Sequence, residues 1–586
     1  MQASTENSEA SRIRGLLASV IFLFSILIFR LFYLQIATSE DYARESDENR
    51  IAQKRIKAPR GLVVARNSEV LARNRASYTI FLIPSTAEND KNAVAALQQA
   101  IGGGTIKFNR NWRSPRLKRD VDFRTVSIVE ERLRADWPLG IEVEPQRSYP
   151  HRTLAAHLLG YVGELQEDEL QKYHDKAYVA SDFVGKTGVE KVYEDTLHGS
   201  DGVRYMEVDA RGRTRNEFPE REQPARPGKE LRLTIDMAVQ QAAERALPDT
   251  LAGSVVALDP QTGAVLALAS KPAFDPNVFV SFQEQEERST LLQHENKPLL
   301  NRAISGTYPP GSTLKMVAAI AGLETGITDT LSTFEACAGS LAVGDVVFRC
   351  FKRDGHGELN LIEAIEASCN IYFQHLAQVL TIETWRDYAG RFGFGQITGI
   401  NLDPVEETGL LPSRQYYQEK EGWTQGHLMN LVIGQGAMLA TPIQMARYVA
   451  ALANGGFLVT PYISGGPLPR RQIEGISPST FEIIKVAMLR VVYGEHGTGA
   501  RVRLSDIPVA GKSGTAQVPN RNNDDAWFVA FAPFEKPEIA VAVVVEGGGG
   551  GGSVAGPIAR QTMKAYFELH ADKGRRAGVE VAAFMN

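Results

Sequence analysis

The chain has 586 residues, long enough for two or three domains with separate cores. With 43% apolar and 23% charged residues and a net charge of −5, it lacks the overall basic footprint of a nucleic-acid binder. Three cysteines, Cys337, Cys350 and Cys369, are too few for a disulfide-built scaffold, and their closeness in sequence makes them a local feature.

Residues 1–14 are polar and carry Arg12 and Arg14. From Gly15 to Ala37 an apolar run, interrupted only by Arg30 and Gln35, has the length of one membrane span. Arginines before it, and Glu40 and Asp41 after it, predict a cytoplasmic N-terminus with the bulk of the chain outside. A cleaved signal peptide is the competing reading, against which the bulky run Phe32–Ile36 offers no small-x-small cleavage site. Arg30 lies too deep for an ordinary flank; it either snorkels to the interface or faces a partner in the membrane. No later segment reaches span length, so a single-pass protein is expected.

From about residue 38 to 225 the chain is charged and broken by short apolar strands. Lys57–Asn67 and Val70–Ala72 read as an extended segment, a turn and a second strand. Thr153–Gly163 reads as a short helix ending on glycines, and Gly185–Gly199 as a turn and an amphipathic helix. No paired catalytic constellation stands out here, and the expected role is a spacer that offers surface to partners. Pro219, Pro224 and Pro227 mark a boundary.

Beyond it, Leu231–Asp236 starts a strand and Met237–Leu247 has helical spacing. Gly253–Ala269 reads as strand, turn on Asp259–Gly263, and strand. Ile539–Val545 is wholly apolar, as a strand covered on both faces would be. Strands at both ends with helices between predict an α+β domain, an antiparallel sheet flanked by helices.

Inside that domain, Gly306–Lys315 reads as a Pro/Gly turn opening a helix, with Ser312 at its start and Lys315 one turn along. A serine hydroxyl needs a base to become a nucleophile, and a lysine of lowered pKa is one such base. Asn360–Phe373 is amphipathic, with Asn360 and Glu363 placed as a capping box. Ser368 and Asn370, flanking Cys369, mark a local break or a functional surface in it. Val509–Val518 is strand-like and contains Lys512-Ser513-Gly514-Thr515, where Gly514 permits close approach of a substrate backbone. Each signal alone is weak.

Ser-x-x-Lys, Ser-x-Asn and Lys-Ser-Gly-Thr in this order are the signature of penicillin-recognising serine enzymes. The chain strongly resembles the class B penicillin-binding proteins, membrane-anchored D,D-transpeptidases of the bacterial wall, over nearly its whole length. Arg60-Gly61 and Gly185-Lys-Thr-Gly-Val-Glu190 match the family's pedestal, and Gly434-Gln-Gly436, Thr441–Met445 and Gly497-Thr-Gly499 match further landmarks. The sequences around Ser312 and Lys512 are similar to the elongation branch more than to the division branch. Asp525 departs from the pattern, standing where relatives often have His.

The resemblance implies a cytoplasmic tail (1–14), a transmembrane helix (15–37), a pedestal or dimerisation domain (38–225), a serine β-lactamase-like transpeptidase domain (226–570) and a C-terminal tail (571–586). It implies that Ser312 attacks the penultimate D-Ala of a stem peptide with Lys315 as base. Ser368 and Asn370 would relay a proton and orient the substrate. Lys512 would supply charge and lower the Lys315 pKa by repulsion, while Ser513, Gly514 and Thr515 hold the terminal carboxylate. Backbone N–H groups of Ser312 and Thr515 would make the oxyanion hole. No cofactor is needed for that chemistry. β-Lactams would acylate Ser312, and a SEDS-family glycan polymerase and elongation-complex proteins would be partners. A β-lactamase or sensor, a division-type transpeptidase and a non-catalytic scaffold are the rival functions.

Three thiols and an imidazole, Cys337, Cys350, His356 and Cys369, suit tetrahedral zinc. A Cys337–Cys350 disulfide and free thiols are the other readings. Resemblance favours His356 and Cys369 as ligands and leaves Cys337 against Glu335 open. The glycine run Gly547–Gly552 lacks the lysine of a phosphate-binding loop and is expected to be a flexible hairpin loop.

Overall fold

The computed structural model describes residues 3–38, 40, 50–83, 86–101, 106, 116–132, 138–173, 178–179, 182–209, 214–281, 284–402, 406–519, 521 and 523–570. Asp41 and the expected tail 571–586 lie outside the described residues.

The chain begins with a helix, Ala3–Phe32, whose helical path continues through Tyr33–Ala37. The stretch Arg12–Ala37 has 26 residues and contains an 18-residue window of mean hydropathy 2.4, long and apolar enough to cross a membrane. Ser19 and Ser25 return their hydroxyls to the carbonyls of Gly15 (3.0 Å) and Ile21 (2.8 Å), so neither leaves an unpaired donor in the apolar run. The Arg30 guanidinium lies 5.6 Å from the Tyr33 ring centre.

Packing divides the chain into two units. The first comprises Met1–Pro59, Ala76–Pro145 and Gly199–Pro227. In it Ile51–Ile56 pairs antiparallel with Gly202–Val208, which pairs in turn with Thr214–Glu217. Its small core gathers Ile80, Leu82, Leu97, Val121, Val126 and Leu139, with helices Ala87–Ala100 and Phe123–Arg132 contributing.

The second unit comprises Arg60–Arg75, Gln146–His198 and Gly228–Asn586. Two stretches inside the segment expected as pedestal, 60–75 and 146–198, therefore pack in this unit. They carry a buried charge network that periodicity does not reveal. Arg60 meets Glu190 at 2.8 Å and Glu194 at 3.0 Å, and Arg147 meets Glu190 at 2.6 Å. Arg147 also donates to the carbonyl of Gly61 at 2.7 Å, and Tyr149 donates to Glu190 at 3.3 Å. Burial pushes the Glu190 carboxyl up, but the Arg147 and Arg60 guanidinium groups outweigh it and hold the pKa below its ordinary value. The segment thus holds paired buried charges, although not a catalytic set.

The rest of the second unit is the expected α+β domain. The elements that position its sheet and site are α1 (Met237–Ala246), β1 (Gly253–Leu258), β2 (Val265–Lys271), α2 (Lys315–Glu324), α3 (Leu361–Glu366), α4 (Asn370–Val379), α5 (Pro442–Ala453), α6 (Pro478–Tyr493), β3 (Ala510–Ala516), β4 (Asp525–Ala532), β5 (Ile539–Val545) and α7 (Gly556–Leu569). The sheet runs β2-β1-β5-β4-β3, all neighbours antiparallel. β5 lies at its centre, and alternation explains its composition. Ile539, Val541, Val543 and Val545 join the core shared with Val239, Ala243, Ile558 and Met563 of α1 and α7. Ala540, Ala542 and Val544 join the other core, with Ala446 and Val449 of α5. A strand buried on both faces has no polar position to spare.

Candidate active site

Three elements bring the sequence motifs together. Tyr308-Pro-Pro310 leads into a tight helical turn, Gly311–Leu314, which passes directly into α2. Gly311 has φ +57°, and a Cβ there would stand 2.9 Å from the Thr515 carbonyl oxygen and 3.3 Å from the Thr515 nitrogen. The backbone beside Ser312 therefore touches the backbone of β3, and glycine alone fits comfortably. Gly434 packs from another side, accepting a hydrogen bond from the Gly311 nitrogen at 2.9 Å.

The second motif lies in the break the sequence suggested. α3 opens with the predicted capping box of Asn360 and Glu363 and ends at Glu366, and Cys369 is the residue before α4. Between them Ser368 takes φ +54°, a left-handed conformation that is uncommon for a non-glycine residue. It is 5% exposed.

Two buried lysines meet at that serine. The Lys315 amine donates to the Ser368 carbonyl at 2.7 Å and to Asn370 Oδ1 at 2.9 Å, and lies 3.3 Å from Ser368 Oγ. Lys512 Nζ donates to Ser368 Oγ at 2.8 Å and to the Ser513 carbonyl at 2.9 Å. Burial lowers the Lys315 pKa from 10.5 to about 8. Burial also pushes Lys512 well down, and the nearby Lys315 charge adds to that. Desolvation is thus the largest cause at both lysines, and the repulsion between their charges adds to it. Among the described residues no side-chain hydrogen bond joins Ser312 to Lys315, although the Lys315 backbone N–H donates to the Ser312 carbonyl; Ser312 lines the cleft.

β3 is the edge strand of the sheet, and it carries the third motif. Ser513 Oγ lies 2.6 Å from Thr498 Oγ1, and Thr515 is exposed. A Cβ on Gly514 would meet Thr313 Cγ2 at 2.9 Å and the Pro310 oxygen at 3.0 Å. Gly514 thus serves first to let β3 close on the Ser312 turn. Ser312, Ser368, Asn370, Ser513, Gly514 and Thr515 all line one cleft of about 1270 Å³.

The glycine run is not a hairpin loop, which corrects that expectation. Gly547–Gly552 connects β5 to the helical turn Gly551–Ala555 and then α7. A Cβ on Gly551 would stand 2.1 Å from the Gly514 oxygen and 2.2 Å from the Trp527 oxygen. Gly550, Gly551 and Gly552 line the cleft, a role their repetitive sequence hid. Asp525 lies at the start of β4, buried, paired with Arg521 at 2.6 Å and accepting from the Gly547 nitrogen at 2.8 Å. Arg521 also reaches Glu546 at 2.8 Å, so this departure from the family pattern has a local structural explanation.

Beside the cleft, the ligand atoms of Cys337, Cys350, His356 and Cys369 lie within 4.8 Å of one another. Cys337 Sγ and Cys350 Sγ are 3.7 and 3.5 Å from His356 Nδ1. All three cysteines are free, so the disulfide reading is not realised. Glu335 is exposed and stands outside this group. Hydrogen bonds from the Cys369 thiol and the His356 ring hold Cys350 below the usual thiol range. Tetrahedral zinc, with bonds of about 2.3 Å to sulfur and about 2.0 Å to nitrogen, sets S···N edges of about 3.6 Å. The donor set and its spacing fit that ion.

Residues 253–564 match the family described as Penicillin binding protein transpeptidase domain, and residues 55–233 match Penicillin-binding Protein dimerisation domain. The peptidoglycan D,D-transpeptidase MrdA of Acinetobacter baumannii is 35% identical over 581 residues, covering 92% of this chain and 84% of the relative. The structure of a penicillin-binding protein, PBP2, in complex with MreC from Helicobacter pylori superposes with a TM-score of 0.79 at 28% identity, covering 89% of this chain and 100% of that one. A chain from a peptidoglycan synthase complex, described as coordinating polymerization and crosslinking, gives a TM-score of 0.73 at 30% identity, covering 95% and 98%. With both family matches in order and relatives matched along most of their length, the chain belongs to the class B penicillin-binding proteins, as a serine-type peptidoglycan D,D-transpeptidase of the elongation branch.

Proposed function

We propose that this transpeptidase works through Ser312 as nucleophile and Lys315 as its base. The convergence of Lys315 and Lys512 on Ser368 carries the reading. A neutral lysine amine has two N–H donors and one lone pair. The Ser368 carbonyl and Asn370 Oδ1 take the two donors, which leaves the lone pair to accept a proton. A pKa of about 8 makes the neutral form accessible near neutrality.

Ser312 attacks the carbonyl of the penultimate D-Ala of a stem peptide. The terminal D-Ala leaves, and an amine of a second stem peptide resolves the acyl-enzyme. Ser368, hydrogen-bonded to both lysines, relays the proton to the leaving amine, and Asn370 orients the substrate amide. Ser513 and Thr515 hold the terminal carboxylate. Its charge opposes the desolvation of Lys512 and restores the ammonium form there. The N–H groups of Ser312 and Thr515 stabilise the oxyanion, a reading that the contact of Gly311 with the Thr515 backbone supports. β-Lactams acylate the same serine.

The same reading assigns residues 15–37 as the single membrane anchor, with 1–14 as a cytoplasmic tail, 38–225 as pedestal, 226–570 as the extracytoplasmic catalytic domain, and 571–586 as a C-terminal tail. Arg12 and Arg14 support that orientation. Cys337, Cys350, His356 and Cys369 hold a structural zinc, which supplies no chemistry to the reaction but ties the Cys350 loop to Cys369 between Ser368 and Asn370. The synthase-complex and MreC-bound relatives support a SEDS-family polymerase and elongation-complex proteins as partners.

Labelling with a fluorescent penicillin tests the nucleophile. The wild type labels and Ser312→Ala does not. Equal labelling of both refutes the assignment, and no labelling of a folded wild type favours a scaffold role.

A further inference from the structure

One wall of the cleft has chemistry that the reaction does not use. Ser340–Val343 and Val346–Arg349 form a hairpin, and the chain continues past Cys350 to Arg353. Val347, Arg349, Phe351 and Arg353 from this segment all line the cleft. Val347 and Phe351 are 52% and 59% exposed, unusual for apolar side chains so close to a reaction centre. Among the described residues neither Arg349 nor Arg353 has a carboxylate partner.

The two arginines are held in place by their backbones. The Arg349 carbonyl accepts from Asn370 Nδ2 at 3.2 Å, which joins it directly to the second motif. Gly339, at φ +90°, packs so closely that a Cβ would stand 1.9 Å from the Arg353 carbonyl oxygen. Between them Cys350 belongs to the cysteine–histidine group. A third arginine of the cleft, Arg501, follows Thr498, which bonds Ser513, so it belongs to the end where the terminal carboxylate is bound. Arg349 and Arg353 mark the Asn370 end instead.

We propose that Arg349 and Arg353 form a second anionic subsite, which takes a carboxylate carried on an aliphatic side chain of the stem peptide. The methylene part lies along Val347 and Phe351, and the guanidinium groups receive the charge. Planar guanidinium groups match carboxylate geometry, and two unpaired ones on an apolar wall suit an acid at the end of a hydrocarbon stem. The subsite makes the enzyme selective among peptides that share the same terminal D-Ala-D-Ala. It rests on the assignment of Ser312 and the stem-peptide substrate above.

The test uses the full-length protein in detergent with two synthetic stem peptides, identical except that the side-chain carboxylate is free in one and amidated in the other. As donors they are scored by D-Ala release, and as acceptors by product formation from a common ester donor. The wild type prefers the free acid by about tenfold, the size of one charge-assisted hydrogen bond. Preference in the donor arm places the carboxylate on the acylated strand; preference in the acceptor arm alone places it on the resolving strand. Arg349→Ala/Arg353→Ala loses the preference, whereas Arg349→Lys/Arg353→Lys retains part of it. Ser312 still labels with penicillin in both, which shows that the fold and the nucleophile are intact. Equal use of the two peptides by a wild type that labels overturns the subsite and leaves the nucleophile standing. Preference that survives in the alanine variant overturns it as well.

Discussion

Lys315 and Lys512, on different elements of the catalytic unit, reach the same hydroxyl, Ser368 Oγ, from 3.3 and 2.8 Å. Two ammonium groups so close in a buried site repel strongly, so the pair favours a state in which one of them is neutral. The geometry thereby builds a base without any histidine or carboxylate.

The first consequence is a pH profile. With Lys315 lowered to about 8, acylation by a penicillin rises about tenfold per pH unit below that value and levels off above it. Stopped-flow or gel-based labelling rates between pH 6 and about 9.5 check this. A flat profile across that range contradicts Lys315 as the base.

At Ser368 the backbone and the side chain can be separated. Ser368→Ala and Ser368→Gly both remove the hydroxyl between the lysines, and both slow acylation on the order of 10²-fold. Because φ is +54°, the glycine variant is the more stable of the two by about 1 kcal/mol. Thermal unfolding beside labelling kinetics reads both effects. Equal stability of the two variants would mean that the left-handed conformation carries no strain.

Glu190→Gln leaves Arg60 and Arg147 without their shared carboxylate, and destabilises the second unit by about 3–5 kcal/mol. The sign with pH follows from the lowered pKa. The stabilisation is fully present above the ordinary glutamate value of 4.5 and is lost as pH falls through the lower folded value. Denaturant titrations at neutral and acid pH measure it, with the wild-type advantage shrinking as the solution is acidified.

Removal of the proposed zinc is expected to act through Cys369, which lies between Ser368 and Asn370. Purified protein contains about one zinc per chain, and a strong chelator lowers the unfolding midpoint and slows penicillin labelling without abolishing it. Cys350→Ser reproduces both effects. A metal-free preparation with three freely titrating thiols and a normal unfolding midpoint would rule the zinc out.

Much of this site was legible because its parts are local. The turn before Ser312, the Asn360–Glu363 capping box and the break at Ser368 are each written within a few residues. The wholly apolar Ile539–Val545 gave away a strand covered on both faces. What stayed hidden depends on contacts between distant segments. Arg60 and Glu190 look like ordinary surface charges until the fold brings them together at 2.8 Å. Gly551 lies in a run that composition alone assigns to a flexible loop, yet it is fixed by the Gly514 and Trp527 carbonyls of two strands. The origin of the Lys315 shift was equally out of reach, because desolvation depends on everything packed around the amine.

The catalytic unit is discontinuous along the chain, which bears on how it can be cut. Val63–Val64 pairs parallel with Leu231–Arg232, and Leu231 and Leu233 are buried in the core that also contains Leu314 and Met316. A fragment beginning at residue 228 would keep every catalytic residue named above and still lose the neighbour of that strand, together with Arg60, Arg147 and Glu190. The shortest self-sufficient version therefore starts before residue 60, and the polypeptide must be made through α7 before the unit begun there can close.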